Sequence, residues 1–399
     1  MDKKFNWLIM AEFLSDLGTG ISLITVPFSI LKISNGKDIF SNTVLYTLIF
    51  VFLISFQVGK IIDRSNKKKY LYSVQFSCGF LIFISFLFLN LNLNYNIASF
   101  ILPFVFVVGS IHYAIHFPAR TAFLQTVVFP ENYLKINSKL SIFSQLSTLI
   151  GALLVSSFLL NISLNFFLIF DFLTYMFSGL FYFFSNFPEV NVKIKKIEII
   201  EVKSKNVLNY IWSMDQVFFY LFLGLLPSVG VLYSNYLSPV YISEILKENV
   251  GFRSLQVFLY CLGVIIISYF SDKIIKKENL RILILASSFA FGICYAFSYF
   301  NLGIFSFGFF VFFYGVFGGI CGLSRSTLLM NSIENNYIGK VNSLFGTLSV
   351  FLRVFMVLFA SKIIASMGIL ISLAPFLVLL FSFHLIYMIG WNKFNRRFL

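Results

Sequence analysis

Glu12 and Asp16 stand four residues apart in an otherwise apolar run, so a helix would put both carboxylates on one face. Ser15, Thr19 and Gly20 extend a small, polar stripe beside them. Counted from Asn6, Asp16 would lie ~15 Å deep, near the middle of a bilayer. An isolated charge at such a depth costs at least about 2.5–3.5 kcal/mol, and groups placed there mark ion or proton paths. Two carboxylates this close repel when both are ionised, which suits reversible protonation and points to proton or cation coupling. A second reading leaves Glu12 near the inner interface, paired with a basic loop residue. Asp171, Asp215 and Arg353 also interrupt apolar runs. Asp171 and Asp215 either serve transport or pair with nearby lysines. Arg353 neutralises an acid such as Asp16 or Asp171, binds an anionic substrate group, or forms a buried structural pair. His112 and His116 share a helical face, but no third ligand follows, so no metal site is expected. Proton handling and ordinary packing both remain open for them, and the isolated His384 reads as packing.

The elements that must position these groups follow from composition. The 399 residues are 59% hydrophobic, 20% aromatic and 12% charged, with mean hydropathy +0.89. A soluble domain carries about 25% charged residues and has no place for this much apolar surface. An integral membrane protein is implied, and soluble enzymes and nucleic-acid binders are set aside. The apolar runs are unbroken rather than alternating, which argues for helices against a barrel. Twelve spans are expected, near 7–31, 41–62, 70–89, 97–117, 140–160, 165–187, 208–233, 253–271, 281–300, 303–323, 342–365 and 368–391. The first apolar run is too long for a signal peptide and is read as a retained span. Cys78, Cys261, Cys294 and Cys321 sit in apolar runs without metal or redox spacing and read as small core residues.

Charge sets the expected orientation. With the N-terminus inside, the lysines and arginines fall in inner segments, except Lys32, Lys37, Lys247, Arg253, Lys362 and the intramembrane Arg353. Both termini are therefore expected in the cytoplasm, and the net charge of +14 is mostly topology. The halves repeat: Ala119-Arg120-Thr-Ala-Phe-Leu returns as Ser324-Arg325-Ser-Thr-Leu-Leu, and Asn137-Ser138 as Asn342-Ser343, at one common offset. An N-terminal six-helix bundle at 1–190, a cytoplasmic linker at 191–206 and a C-terminal bundle at 207–399 are expected. Two such bundles with a substrate site between them form a transporter architecture.

Gly59-Lys-Ile-Ile-Asp63-Arg64-Ser-Asn66-Lys67-Lys68 resembles the G-x-L-A-D-R-x-G-R-K signature of the major facilitator superfamily, at the expected place between the second and third helices. Asn66 stands for a glycine, and Asn tolerates positive φ better than most residues. Lys67 stands for an arginine, keeping charge without the bidentate fork. The resemblance implies an all-α major facilitator fold of twelve transmembrane helices. It also implies a conformational latch, in which Asp63 engages the start of the eleventh helix near Asn342, with Gly59, Arg64, Lys67 and Lys68 completing the motif. A carboxylate at a helix N-terminus gains about 0.3–1 kcal/mol. His116-Phe-Pro118-Ala-Arg120-Thr-Ala, then Phe129-Pro130-Glu131 and Asn137-Ser138, is similar to the corresponding run of the macrolide-efflux and siderophore-exporter branch. Pro118, Arg120, Arg325, Asn137 and Asn342 are read there as structural loop residues at the inner face.

No Walker, G-x-S-x-G or H-E-x-x-H motif occurs, so neither direct ATP drive nor those hydrolytic chemistries are expected. The function read is secondary active transport: proton-coupled export of a small molecule by alternating access, with no cofactor and a proton gradient as energy source. The resemblance implies an antibiotic, siderophore or peptide antibiotic as cargo, the last for self-immunity. Import or facilitated diffusion on the same fold is the alternative, since fold does not fix direction. A lipid-modifying membrane enzyme is a weaker one. The expected setting is a bacterial plasma (inner) membrane, as a multi-pass antiporter that is a monomer, with lipid and a small-molecule substrate as partners.

Overall fold

The computed structural model describes residues 3–31, 33, 35–90, 98–158, 164–185, 215–242, 250–300, 303–367 and 369–395. Among the described residues the elements are helices, with no strand. In chain order they are α1 (Lys3–Leu31), α2 (Gly36–Arg64), α3 (Lys67–Asn90), α4 (Ala98–Val127), α5 (Tyr133–Phe158), α6 (Leu164–Phe184), α7 (Asp215–Leu223), α8 (Leu226–Val240), α9 (Val250–Tyr269), α10 (Leu280–Tyr299), α11 (Ile304–Ser332), α12 (Asn335–Met367) and α13 (Ala374–Asn395). Single turns at Pro130–Asn132, Ser271–Ile274, Lys277–Asn279 and Ile369–Ser372 fill connections.

Several boundaries differ from the expected ones, for physical reasons. The stretch expected at 208–233 is broken between α7 and α8, where Pro227, lacking an N–H, takes the first turn of α8. Conversely, Pro118 does not end α4, which runs on to Val127. Bundled membrane helices tolerate internal proline when side chains and neighbours take up the freed backbone groups. α11 likewise runs on to Ser332. Pro118, Arg120 and Arg325 therefore lie inside helices, as do Asn137 in α5 and Asn342 in α12, and the loop reading of all five is corrected. Asn66 is corrected too. Its φ is not positive; instead its side-chain oxygen accepts the Lys69 N–H at 3.0 Å, capping α3.

Among the described residues, 8 helices are long and apolar enough to cross a membrane, or 9 if the segments Asn42–Ser55 and Gln57–Arg64, bent by 45°, form one span. Leu255–Tyr269 and Ala374–Gly390 are shorter apolar helices. The polarity is inverted relative to a water-soluble protein. Phe305 is 96% exposed and Ile389 85% exposed, which suits hydrocarbon and not water. Glu12, Gln75 and Asp171 are buried.

The chain divides into two compact units. Unit 1 comprises Met1–Phe129, Lys139–Asn191 and Ile338–Val350, and unit 2 comprises Pro130–Ser138, Val192–Tyr337 and Phe351–Leu399. The expected linker at 191–206 lies outside the described residues. In unit 1, α1, α3, α4 and α6 pack on one another around Val26, Ile30, Ile82, Leu102, Leu168 and Tyr175. In unit 2, α10 packs with α11 and α13 through a cluster of rings, among them Phe291, Tyr295, Tyr314 and Phe376. Cys78, Cys261 and Cys321 are buried free thiols, and Cys294 is half-buried.

Candidate functional site

The polar face of α1 carries Glu12, Ser15, Asp16, Thr19 and Ser22 at successive three- and four-residue steps, and α3, α4 and α6 of unit 1 close over it. Glu12 has no exposed surface. Arg120 Nη1 of α4 donates to Glu12 Oε2 at 2.7 Å. On the other oxygen, Glu12 Oε1 lies 2.9 Å from His116 Nε2 and accepts a further hydrogen bond from the Tyr182 hydroxyl of α6. The Arg120–Glu12 contact is an ion pair, and the His116–Glu12 contact is one only when His116 is protonated. Of the two sequence readings for Glu12, the structure gives pairing with a basic residue, but one inside a helix and half-buried.

The partners of His116 fix its proton arrangement. A carboxylate oxygen only accepts, so Nε2 must carry the hydrogen toward Glu12. Gln75 Nε2 of α3 lies 3.4 Å from His116 Nδ1 and donates to Ser15 Oγ at 3.0 Å. With this amide orientation His116 is neutral, its Nδ1 accepting. Turning the Gln75 amide over would present its oxygen to a protonated Nδ1, which is the arrangement a charged His116 requires. Gln75 Oε1 is buried without a hydrogen-bond partner among the described residues.

Asp16 lies one turn further along α1, with Ser144 of α5 in hydrogen-bonding reach. Its Oδ2 is buried and has no partner among the described residues. Asp171 of α6 makes a second buried acid. Its Oδ2 accepts from Ser22 Oγ at 2.5 Å, and its Oδ1 is buried and lacks a partner among the described residues. Gly18 is what lets this acid approach α1, because a Cβ there would overlap Asp171 Oδ1 and Thr174 Oγ1. Between the acids lies His112, stacked on His116 with ring centroids 4.9 Å apart and set edge-on to Tyr175 at 4.7 Å. The Tyr175 hydroxyl in turn lies 3.4 Å from Thr19 Oγ1.

The structure thus gathers Glu12, Asp16, Asp171 and Arg120 in one unit. Asp215 opens α7, and its side chain lies outside the described residues. Arg353 is half-buried on α12, within unit 2. Arg325 Nε donates to the Leu221 carbonyl at 2.9 Å, Asn137 Nδ2 reaches Met330 Sδ at 3.3 Å, and Asn342 is buried. In the signature motif, Asp63 accepts backbone N–H groups of Gly339 at 3.0 Å and Lys340 at 3.1 Å, in the early turns of α12. All three residues belong to unit 1. Gly59 is pressed so closely on this segment that a Cβ would come within 2.7 Å of Ser343 Cβ. Lys68 Nζ donates to the Phe183 carbonyl at 3.0 Å, while Arg64 is exposed.

Residue spacing did not single out Tyr182, Gln75 or Tyr175. Their partners are distant in the chain, and tyrosine and glutamine in an apolar run carry no local signal. His116 had one: the four-residue spacing from His112 and its place in the same run as Arg120. No group of three or more His, Cys, Asp and Glu able to hold a metal occurs among the described residues.

Residues 8–357 match the model of the Major Facilitator Superfamily. The chain belongs to the major facilitator superfamily. Membership makes it a membrane transporter for a small-molecule substrate rather than an enzyme. Among solved structures it is similar to a bacterial homologue of the iron transporter ferroportin in an outward-facing state, with TM-score 0.70 and 15% identity over 98% of this chain and 100% of that one. It is also similar to the human organic anion transporter MFSD10 (TETRAN), with TM-score 0.73 and 13% identity over 96% of this chain and 100% of that one. Identities this low carry the superfamily fold alone. No curated protein matches the chain.

Proposed function

We propose that this superfamily member is a proton-coupled exporter working by alternating access, with Asp16 and His116 as its proton-exchanging pair. The carrying observation is the charge balance around Glu12. Arg120 neutralises Glu12, which leaves the half-buried Asp16 beside them with its Oδ2 enclosed. A carboxylate so enclosed is held either with its own proton or with a counter-charge nearby. A single proton, on Asp16 or on His116, satisfies both conditions, and Gln75 reports which by the direction of its amide. Asp171 is a second acceptor, reached past His112 and Tyr175. Coupling follows if proton and substrate favour different states of the transporter, each shift bounded by differential affinity.

The Asp63 contact with Gly339 and Lys340 acts in this reading as the latch of one such state, with Gly59 as its close-packed floor. Export of an antibiotic, siderophore or peptide antibiotic, conferring resistance or self-immunity, is supported by the sequence run around Pro118 and Arg120. Twelve crossings with both termini in the cytoplasm of a bacterial plasma membrane, and action as a monomer, complete the proposal.

Everted vesicles energised by respiration and loaded with a ΔpH-sensitive dye test it. Addition of an exported macrolide, siderophore or peptide should discharge the gradient with the wild-type chain and not with Asp16→Asn. Transport that persists unchanged after a protonophore, or in Asp16→Asn, would remove the coupling mechanism.

A further inference from the structure

Unit 2 holds a cation of a different kind. Arg253, in the first turn of α9, is half-buried. Its Nη2 donates to Asn235 Oδ1 of α8 at 2.8 Å, and its Nη1 donates to Gln256 Oε1 one turn along. The Gln256 amide has a fixed sense: its Nε2 donates to Ser238 Oγ at 3.0 Å, and Ser238 shares a 3.0 Å hydrogen bond with the Tyr299 hydroxyl. Its oxygen is therefore held toward the guanidinium. Tyr299 of α10 joins this chain of hydrogen bonds through Ser238, and its ring packs on Tyr295, which packs in turn on Tyr314 of α11. All three tyrosines are buried, and the Tyr295 hydroxyl has no hydrogen-bond partner among the described residues.

Among the described residues the partners of the Arg253 guanidinium are the neutral amides of Asn235 and Gln256, not a carboxylate. Neutral amide oxygens aim a guanidinium without cancelling its charge. Such a charge attracts an anion, more strongly on the side of the buried tyrosines than on that of the exposed Asn235. The remaining edge of a guanidinium fork matches a carboxylate or phosphate, and a wall of tyrosine rings suits a flat apolar body while offering hydroxyl donors.

We propose that Arg253, Asn235 and Gln256, with Tyr295, Tyr299 and Tyr314, form a binding site for an organic anion, a carboxylate or phosphate carried on an apolar or aromatic body. The site lies wholly in unit 2 and does not depend on proton coupling in unit 1. The anion comes either from a free small molecule or from a phospholipid headgroup.

The full chain, purified in neutral detergent, is titrated with 1-naphthoate and with its uncharged counterpart 1-naphthamide while thermal unfolding is followed. Naphthoate should raise the unfolding temperature and naphthamide should not. Arg253→Gln should weaken the apparent Kd for naphthoate about tenfold or more, as loss of one charge-assisted hydrogen-bonded contact predicts. Arg253→Lys, which keeps the charge and loses the fork, should fall between and guards against a misfolded glutamine variant. In phosphatidylcholine nanodiscs, added phosphatidylglycerol that stabilises the wild-type chain but not Arg253→Gln, and that blunts the naphthoate shift, assigns the anion to lipid. Equal shifts from naphthoate and naphthamide would overturn the site. So would a wild-type chain that responds to neither naphthoate nor phosphatidylglycerol, or undiminished naphthoate affinity in both variants.

Discussion

Glu12 is fully buried, yet each of its oxygens is engaged, by Arg120 on one side and by His116 and Tyr182 on the other. Removing one member of a buried pair costs far more than removing both, because the survivor stays charged and enclosed. Glu12→Gln should therefore lower stability by about 3–5 kcal/mol, read as thermal unfolding in detergent. Glu12→Gln combined with Arg120→Met should recover most of that loss yet leave ΔpH-driven transport absent. A double variant as unstable as the single one would show that shape, not charge, holds the network. At this scale the sequence was half legible. Glu12 with Asp16 and His112 with His116 announce themselves by a four-residue step, which any helix turns into a shared face. Arg120 was visible but misplaced, because Pro118 reads as a helix end when the bundle that tolerates it is unseen. Gln75 and Tyr182 contact α1 from far along the chain, and no spacing rule reaches that distance.

Among the elements, the approach of α2 to the early turns of α12 rests on two glycines. A Cβ at Gly59 would meet Ser343, and one at Gly339 would overlap Asp63. Gly59→Val should force the α12 segment away, whereas Asp63→Asn keeps the shape and exchanges two charge-assisted bonds for weaker neutral ones. A cysteine placed at Lys340 should react faster with a water-soluble maleimide in both backgrounds, and more so in Gly59→Val. Equal rates in all three would mean that the contact does not hold this segment. Gly59 and Asp63 were legible from their resemblance to the superfamily signature, and the contact falls at Gly339 and Lys340, just before the Asn342 region expected. The ends of α4 and α11 were not, since a charged residue marks a change of surroundings and not a loss of helical backbone. The break before α8 had its cue in Pro227, which a long apolar run obscured.

Across the whole molecule, a sequence repeat relates Arg120 to Arg325. Arg120 balances a carboxylate, while Arg325 Nε serves a backbone carbonyl. Their substitutions should separate. Arg325→Lys, which loses the Nε hydrogen bond to the Leu221 carbonyl, should cost at least about 1 kcal/mol of stability and leave the pH profile of transport unchanged. His116→Gln should alter that profile, because it removes the ring that shares the Glu12 carboxylate with Arg120. Transport measured across a pH series decides it, and a pH profile altered by Arg325→Lys would count against placing the proton chemistry in unit 1. The all-α membrane class was legible because unbroken apolar runs admit few other folds. The number of crossings was less so, because Asn137, Lys139 and Gln145 interrupt α5 and Pro227 breaks the apolar run before α8.

Gly18 bears on ancestry as well as packing. Asp171 and Thr174 occupy the space a methyl group would need, so position 18 can gain bulk only after one of those neighbours has given way. These three sites should drift as a set among descendants, and a lineage that widens the residue at 18 should already have shortened the one at 171 or 174.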